Sequence, residues 1–112
     1  MGITELPDEM DFLCFFETEP FLKDVSDNMT FGYEYHKNNV SLLFYFTAFE
    51  GFVTLEMKVD NITTLVLHIR YVEKIQLSKD VMMIKRKENS GLPEISVQIE
   101  PTILIRTHPV YG

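Results

Sequence analysis

From residue 29 onward, apolar and polar side chains alternate with a period of two. Met29, Phe31, Tyr33 and Tyr35 alternate with Thr30, Gly32, Glu34 and His36, the pattern of a half-buried strand. After the polar turn His36-Lys37-Asn38-Asn39, Val40, Leu42, Phe44, Phe46 and Ala48 form one face of a second strand. Glu50-Gly51 turns the chain into Val53, Leu55, Met57 and Val59, and Asp60-Asn61 turns it again. Leu65, Leu67, Ile69 and Tyr71 line the next strand, which runs on towards Ile75 and Leu77 through a bend near Glu73. Ser78-Lys79-Asp80 precedes a strand over 81–86, and residues 87–91 form a polar loop. Ile95, Val97 and Ile99 alternate with polar neighbours, Pro101 breaks the ladder, and residues 103–107 make a last short strand. Seven to eight strands joined by short turns predict a mainly β fold. They form an antiparallel meander closed into a barrel or folded into a sandwich.

The N-terminal stretch has a different rhythm. Pro7 suits a first helical position, and Asp8, Glu9 and Asp11 suit the positive end of a helix. Residues 7–17 therefore predict a short helix with Met10, Leu13 and Cys14 on one face and Phe12 and Phe16 beside them. An aromatic edge strand over 12–16 is the alternative. Glu19-Pro20 ends the helix, because the residue before proline avoids the helical region. Residues 18–28 then read as a flexible linker. The 112 residues are expected to make one domain, with an acidic helical and linker segment over 1–28 and a β body over 29–107.

Charge sharpens that division. The formal net charge is −7, with 17 acidic against 10 basic residues. Residues 1–27 hold eight acids and the single base Lys23, so the whole excess sits there, and the remainder is balanced. An acidic chain is a poor tracker of phosphates or anionic lipid, so neither nucleic acid nor membrane is an expected partner. A single cysteine, Cys14, forbids an internal disulfide. Residues 1–5 lack the basic and apolar regions of a signal peptide, and Leu6 stands where myristoylation wants Ser or Thr. The longest uncharged apolar stretch, residues 40–49, is too short to span a bilayer as a helix. These features fit a reduced, cytoplasmic protein.

Catalytic signatures are not found. His36, His68 and His108 lack paired metal-ligand spacing and read as solvated or half-exposed sheet histidines. Cys14 lies in a greasy, acidic setting that does not favour a thiolate, and reads as a buried hydrophobe. Glu34, Glu56, Glu94 and Glu100 fall on outward strand faces, balanced by Lys58, Lys74 and Lys85. An enzyme would need His68 to converge with Glu56 or another strand carboxylate. Lys85-Arg86-Lys87 reads as a solvated hairpin tip. The triplets at Asn28, Asn39 and Asn61 match a glycosylation acceptor, but each also suits a turn-to-strand junction. Neither a metal nor any other cofactor is expected.

A small acidic protein with a separable acidic and aromatic segment fits an inhibitor of a basic partner, with carboxylates steering association and aromatic anchors adding affinity. The size, the acidity and the strands from Val40 to Thr107 resemble bacterial polymorphic-toxin immunity proteins, including those of contact-dependent growth inhibition. The ending Glu94-Ile95-Ser96-Val97-Gln98-Ile99-Glu100 and Ile103-Leu104-Ile105 belongs to that resemblance. It implies a cognate protein toxin, bound one to one in the cytoplasm. Charge alone nominates Asp8, Glu9, Asp11, Glu17, Glu19, Asp24 and Asp27 as the interface. The alternative is a small β-barrel carrying an apolar ligand such as a fatty acid. Its nine phenylalanines, all within residues 12–52, would line the cavity, with Arg70 or Arg106 meeting a carboxylate.

Overall fold

A computed structural model describes residues 2–24 and 30–109. Helix α1 (Glu9–Phe16) is followed by β1 (Leu22–Asp24), β2 (Thr30–Lys37), β3 (Val40–Thr47), β4 (Phe52–Val59) and β5 (Ile62–Ile69). Then come β6 (Val72–Ser78), β7 (Val81–Arg86), a 3-10 turn (Glu88–Ser90), β8 (Glu94–Gln98) and β9 (Leu104–His108). β1 to β5 form one antiparallel sheet in chain order, and β6 to β9 form a second. The fold is therefore mainly β and sandwich-like. Of the two expected closures, barrel or sandwich, the sandwich-like one is formed, because β5 and β6 lie in separate sheets.

Short turns explain the meander. Asp60 and Asn61 both adopt positive φ, 52° and 65°, which lets two residues join β4 to β5 while matching strand twist. The chain changes sheet at Arg70–Tyr71, earlier than the bend expected near Glu73. Tyr71 takes φ 59°, and the amide of Val72 donates to the Gly51 carbonyl at 3.0 Å. The same corner receives the N-terminus. Ile3 N donates to Ala48 O at 2.8 Å and Thr4 N to Glu73 O at 2.7 Å. Ile75 N donates to Glu5 O at 2.9 Å, and Glu5 pairs with Lys74 in parallel sense. Residues 3–5 thus strap the β3–β4 turn to the outer edge of β6. A side chain does not fit at Gly2, since a Cβ there would stand 2.4 Å from Ala48 O.

Alternation places Leu42, Phe44 and Phe46 of β3, Val53 and Leu55 of β4, and Tyr33 of β2 in the core. Val72, Ile75, Met82, Ile84, Ile95 and Val97 face them from the second sheet's strands. α1 completes this core with Phe12, Phe15 and Phe16. This face differs from the predicted one: Met10 is 63% exposed and Cys14 is exposed as well. Phe12 lies 5.1 Å from Tyr33, 5.5 Å from Phe46 and 5.8 Å from Phe44, measured between ring centroids. Three large rings spaced i, i+3, i+4 bury more apolar area than Met10, Leu13 and Cys14, so they win the docked face. The helix ends at Phe16, before Pro20, because Glu17 enters the left-handed region at φ 57° and its amide donates to Leu13 O at 2.7 Å. β1, within the stretch read as a linker, adds a short edge to β2 and brings the strand number among the described residues to nine.

Phe12→Ala removes a ring with four aromatic neighbours and should lower unfolding free energy by about 3–5 kcal/mol. Urea titration followed by circular dichroism measures it.

Candidate functional site

The acidic segment is built around the start of α1. Asp8 caps the helix: its Oδ1 accepts from Asp11 N at 2.8 Å, and Asp11 Oδ2 accepts from Asp8 N at 3.2 Å. Two of the nominated interface carboxylates therefore satisfy helix amides, and with Glu9 they place negative charge at the positive helix end. Both remain exposed.

Glu9 and Glu19 act electrostatically on Tyr33 of β2, and Glu17 acts on Tyr35 of the same strand. Burial pushes the Tyr33 hydroxyl up to about 12, with Glu9 and then Glu19 adding to the effect. Tyr35 is also raised, chiefly by burial, with Glu100 next and Glu17 contributing. Asp24 lies on β1 at the edge of the same sheet. Asp27 falls outside the described residues.

Two clefts flank the helix. The larger, about 680 Å³, is lined by residues of the N-terminal strap, α1, β6 and the turn after it. Glu5, Asp11 and Lys79 line it with charge, and Phe15, Ile75 and Leu77 give it apolar surface. Cys14 lines it too, so the cysteine expected in the core is accessible. Glu5, absent from the charge-based nomination, accepts a hydrogen bond from Gln76 Nε2 at 2.7 Å, and both residues line this cleft. Its place on the edge of β6 depends on the strap, which no local pattern announces. A smaller groove of about 180 Å³ lies on the other side, where Asp8 and Glu9 stand beside Phe31 and Phe46. Met10, Phe21 and Phe49 project as exposed apolar side chains. Exposed acidic groups together with exposed apolar side chains are features that suit a basic protein partner.

The other candidate groups are dispersed. His36 lies in β2, not in a turn, and contacts Ser41 Oγ at 3.0 Å and Glu34 at 3.4 Å. His68 meets Thr54 Oγ1 at 3.3 Å, with its ring 6.0 Å from Phe52, and it pairs in register with Thr54 while Glu56 pairs with Val66. His108 meets Ser96 Oγ at 2.9 Å. Among the described residues no group of three or more His, Cys, Asp or Glu side chains converges. Arg70 and Arg106 are exposed, while Phe12, Phe15, Phe16, Phe44 and Phe46 are packed in the core, with Phe15 also reaching the larger cleft and Phe12 and Phe46 the smaller groove. Arg86 is not a solvated tip: it is half-buried, its Nε has no hydrogen-bond partner among the described residues, and burial lowers its pKa.

One polar cluster joins the two halves of the fold. Glu100, just after β8, accepts from Lys37 Nζ at 2.6 Å and from Tyr35 Oη at 3.1 Å. The Lys37 hydrogen bond, then that of Tyr35, holds the Glu100 carboxyl below its ordinary value of 4.5.

No family model and no curated protein matches the sequence. Among solved structures, the chain superposes on one from a contact-dependent growth inhibition toxin–immunity protein complex of Klebsiella pneumoniae 342. The TM-score is 0.85 at 25% identity, covering 96% of this chain and 97% of that one. The resemblance to contact-dependent growth inhibition proteins thus extends through the whole fold. No helix among the described residues is long and apolar enough to cross a membrane.

Two predictions follow the geometry. Asp8→Ala should cost about 1 kcal/mol in unfolding free energy by leaving Asp11 N uncapped, read by urea titration. For Glu100 the folded-state pKa is depressed, so its contribution is full above the unfolded value and is lost as pH falls through the folded one. Glu100→Gln should accordingly unfold at a lower temperature than the parent at neutral pH. That gap should close on acidification below the ordinary carboxylate range, in thermal melts across pH.

Proposed function

We propose that this protein is an immunity protein that binds a cognate bacterial toxin and neutralises it. The observation carrying this reading is the match, over nearly the full length of both chains, to a toxin–immunity complex. Such a complex has two sides, and charge selects between them. A toxin that cuts nucleic acid needs a cationic cleft for phosphates, whereas this chain carries −7, concentrated on and around α1. The immunity side fits.

The finer reading is that α1 and its flanks occupy a basic, nuclease-type active-site cleft in the cytoplasm. Glu9, Glu17 and Glu19 supply directed negative potential, while Met10 and Phe21 offer apolar anchors. Asp8 and Asp11 have a double role, since they also hold the helix that presents the others. Inhibition of this kind calls for no catalysis and no cofactor.

The test is co-expression with a candidate cognate toxin domain. Restored growth and a stable one-to-one complex support the proposal. Growth arrest caused by this chain alone would make it the toxin, and absence of both protection and complex would end the reading. Within it, the triple substitution Glu9→Gln, Glu17→Gln, Glu19→Gln should slow association about tenfold at low salt and flatten its salt dependence. Stopped-flow mixing with the toxin domain measures both, and an unchanged salt slope would remove these carboxylates from the interface.

A further inference from the structure

Each open sheet has two edges, and an edge is a row of unpaired backbone groups ready to accept another strand. Three of the four edges here are guarded. β1 is three residues long and contains Lys23 and Asp24. β6 is covered by the strap through Glu5. β9 is five residues long and contains Arg106.

β5 is different. It is eight residues long, Ile-Thr-Thr-Leu-Val-Leu-His-Ile, with no Lys, Arg, Asp, Glu or Pro. It pairs with β4 on one side, and no other strand among the described residues pairs with it. A register shift opposite Met57 and Lys58 interrupts only its beginning, where Thr64 Oγ1 donates to Met57 O. From Leu65 the ladder is regular. Ile62 is 68% exposed and Val66 45% exposed, although both are strand-forming hydrophobes.

We propose that the free edge of β5 joins a second copy of this chain, antiparallel across a two-fold axis, so that two five-stranded sheets become one. Two-fold antiparallel pairing sets a strand against itself, so a charge near its middle would meet its own copy. β5 has none, and instead sets Val66 near Val66 of the second copy. The rest of the charge distribution agrees. Glu9, Glu17 and Glu19 act on Tyr33 and Tyr35 of β2, towards the opposite edge of this sheet from β5. Pairing through β5 therefore holds the acidic segments of the two copies towards the outer ends of the joined sheet. A basic partner is drawn to those acidic ends, and an uncharged edge offers it no complementary potential. The self-association leaves the surface assigned to the toxin open and stands independently of that assignment.

Sedimentation equilibrium of the full chain over a wide concentration range tests this. The parent should reach twice the 13.1 kDa of one chain. Val66→Lys and Val66→Glu should each lose the doubled mass, because like charges then face each other across the axis. Mixing the two variants should restore it. Val66 is exposed and lies opposite Glu56, so the lysine variant gains a favourable cross-strand neighbour and keeps its fold, which circular dichroism checks. A parent that stays at single-chain mass overturns the proposal, as does a doubled mass surviving in both variants or a mixture that fails to recover it.

Discussion

The structure depends on covering the aromatic face that β2 and β3 present to the interior. Tyr33, Phe44 and Phe46 are almost completely buried, and Phe12 and Phe16 of α1 stack upon them. The β body alone does not provide those rings. Without α1, the first sheet would expose a contiguous apolar patch of the kind that drives association. The helix is therefore part of the core, and each aromatic contact it makes adds roughly 0.5–1.5 kcal/mol beyond simple area burial.

That dependence explains why the acidic charge is held in place. An eight-residue helix is too short to be stable alone, so its ends need support from capping and docking. Asp8, Glu9 and Asp11 occupy the first turn, where negative charge and side-chain acceptors suit unpaired amides. The apolar side of the same turn is clamped by the sheet. Carboxylates that stabilise the helix are thus presented on a rigid support, and a rigid charged surface loses less entropy on binding than a mobile tail. Under the proposed function, folding and partner recognition draw on the same residues for different reasons.

Much of this was legible in the sequence because it rests on local rules. Period-two alternation announces β2 to β5, Asp60-Asn61 announces its turn, and Pro7-Asp8 with Asp11 announces the helix start. What was not legible depends on tertiary competition. Met10, Leu13 and Cys14 have helical spacing as good as that of Phe12, Phe15 and Phe16, and ring size against a waiting aromatic sheet decides between them. Cys14 was assigned to the core for its chemistry, but it lies on the losing face. The strap over residues 3–5 and the short β1 are made by backbone pairing, which carries no side-chain signature. Tyr71 also conceals its role, since a bulky residue at φ 59° is an unexpected corner, and from the pattern alone β5 and β6 read as one bent strand.

The strap connects the architecture to the distribution of surface. By lying along β6, residues 3–5 close an edge of the second sheet and fix Glu5 beside Gln76. The same backbone carries the chain from the β3–β4 turn to Asp8, so α1 starts at the seam between the sheets. This path sets the acidic first turn of α1 beside β2 and β3 and spends the N-terminal strand-like residues on β6, so that among the described residues only β4 pairs with β5. The located charge and the bare edge are thus two consequences of one routing decision. A chain whose N-terminus instead ran along β5 would cover its aggregation-prone edge and lose the fixed carboxylates over β2.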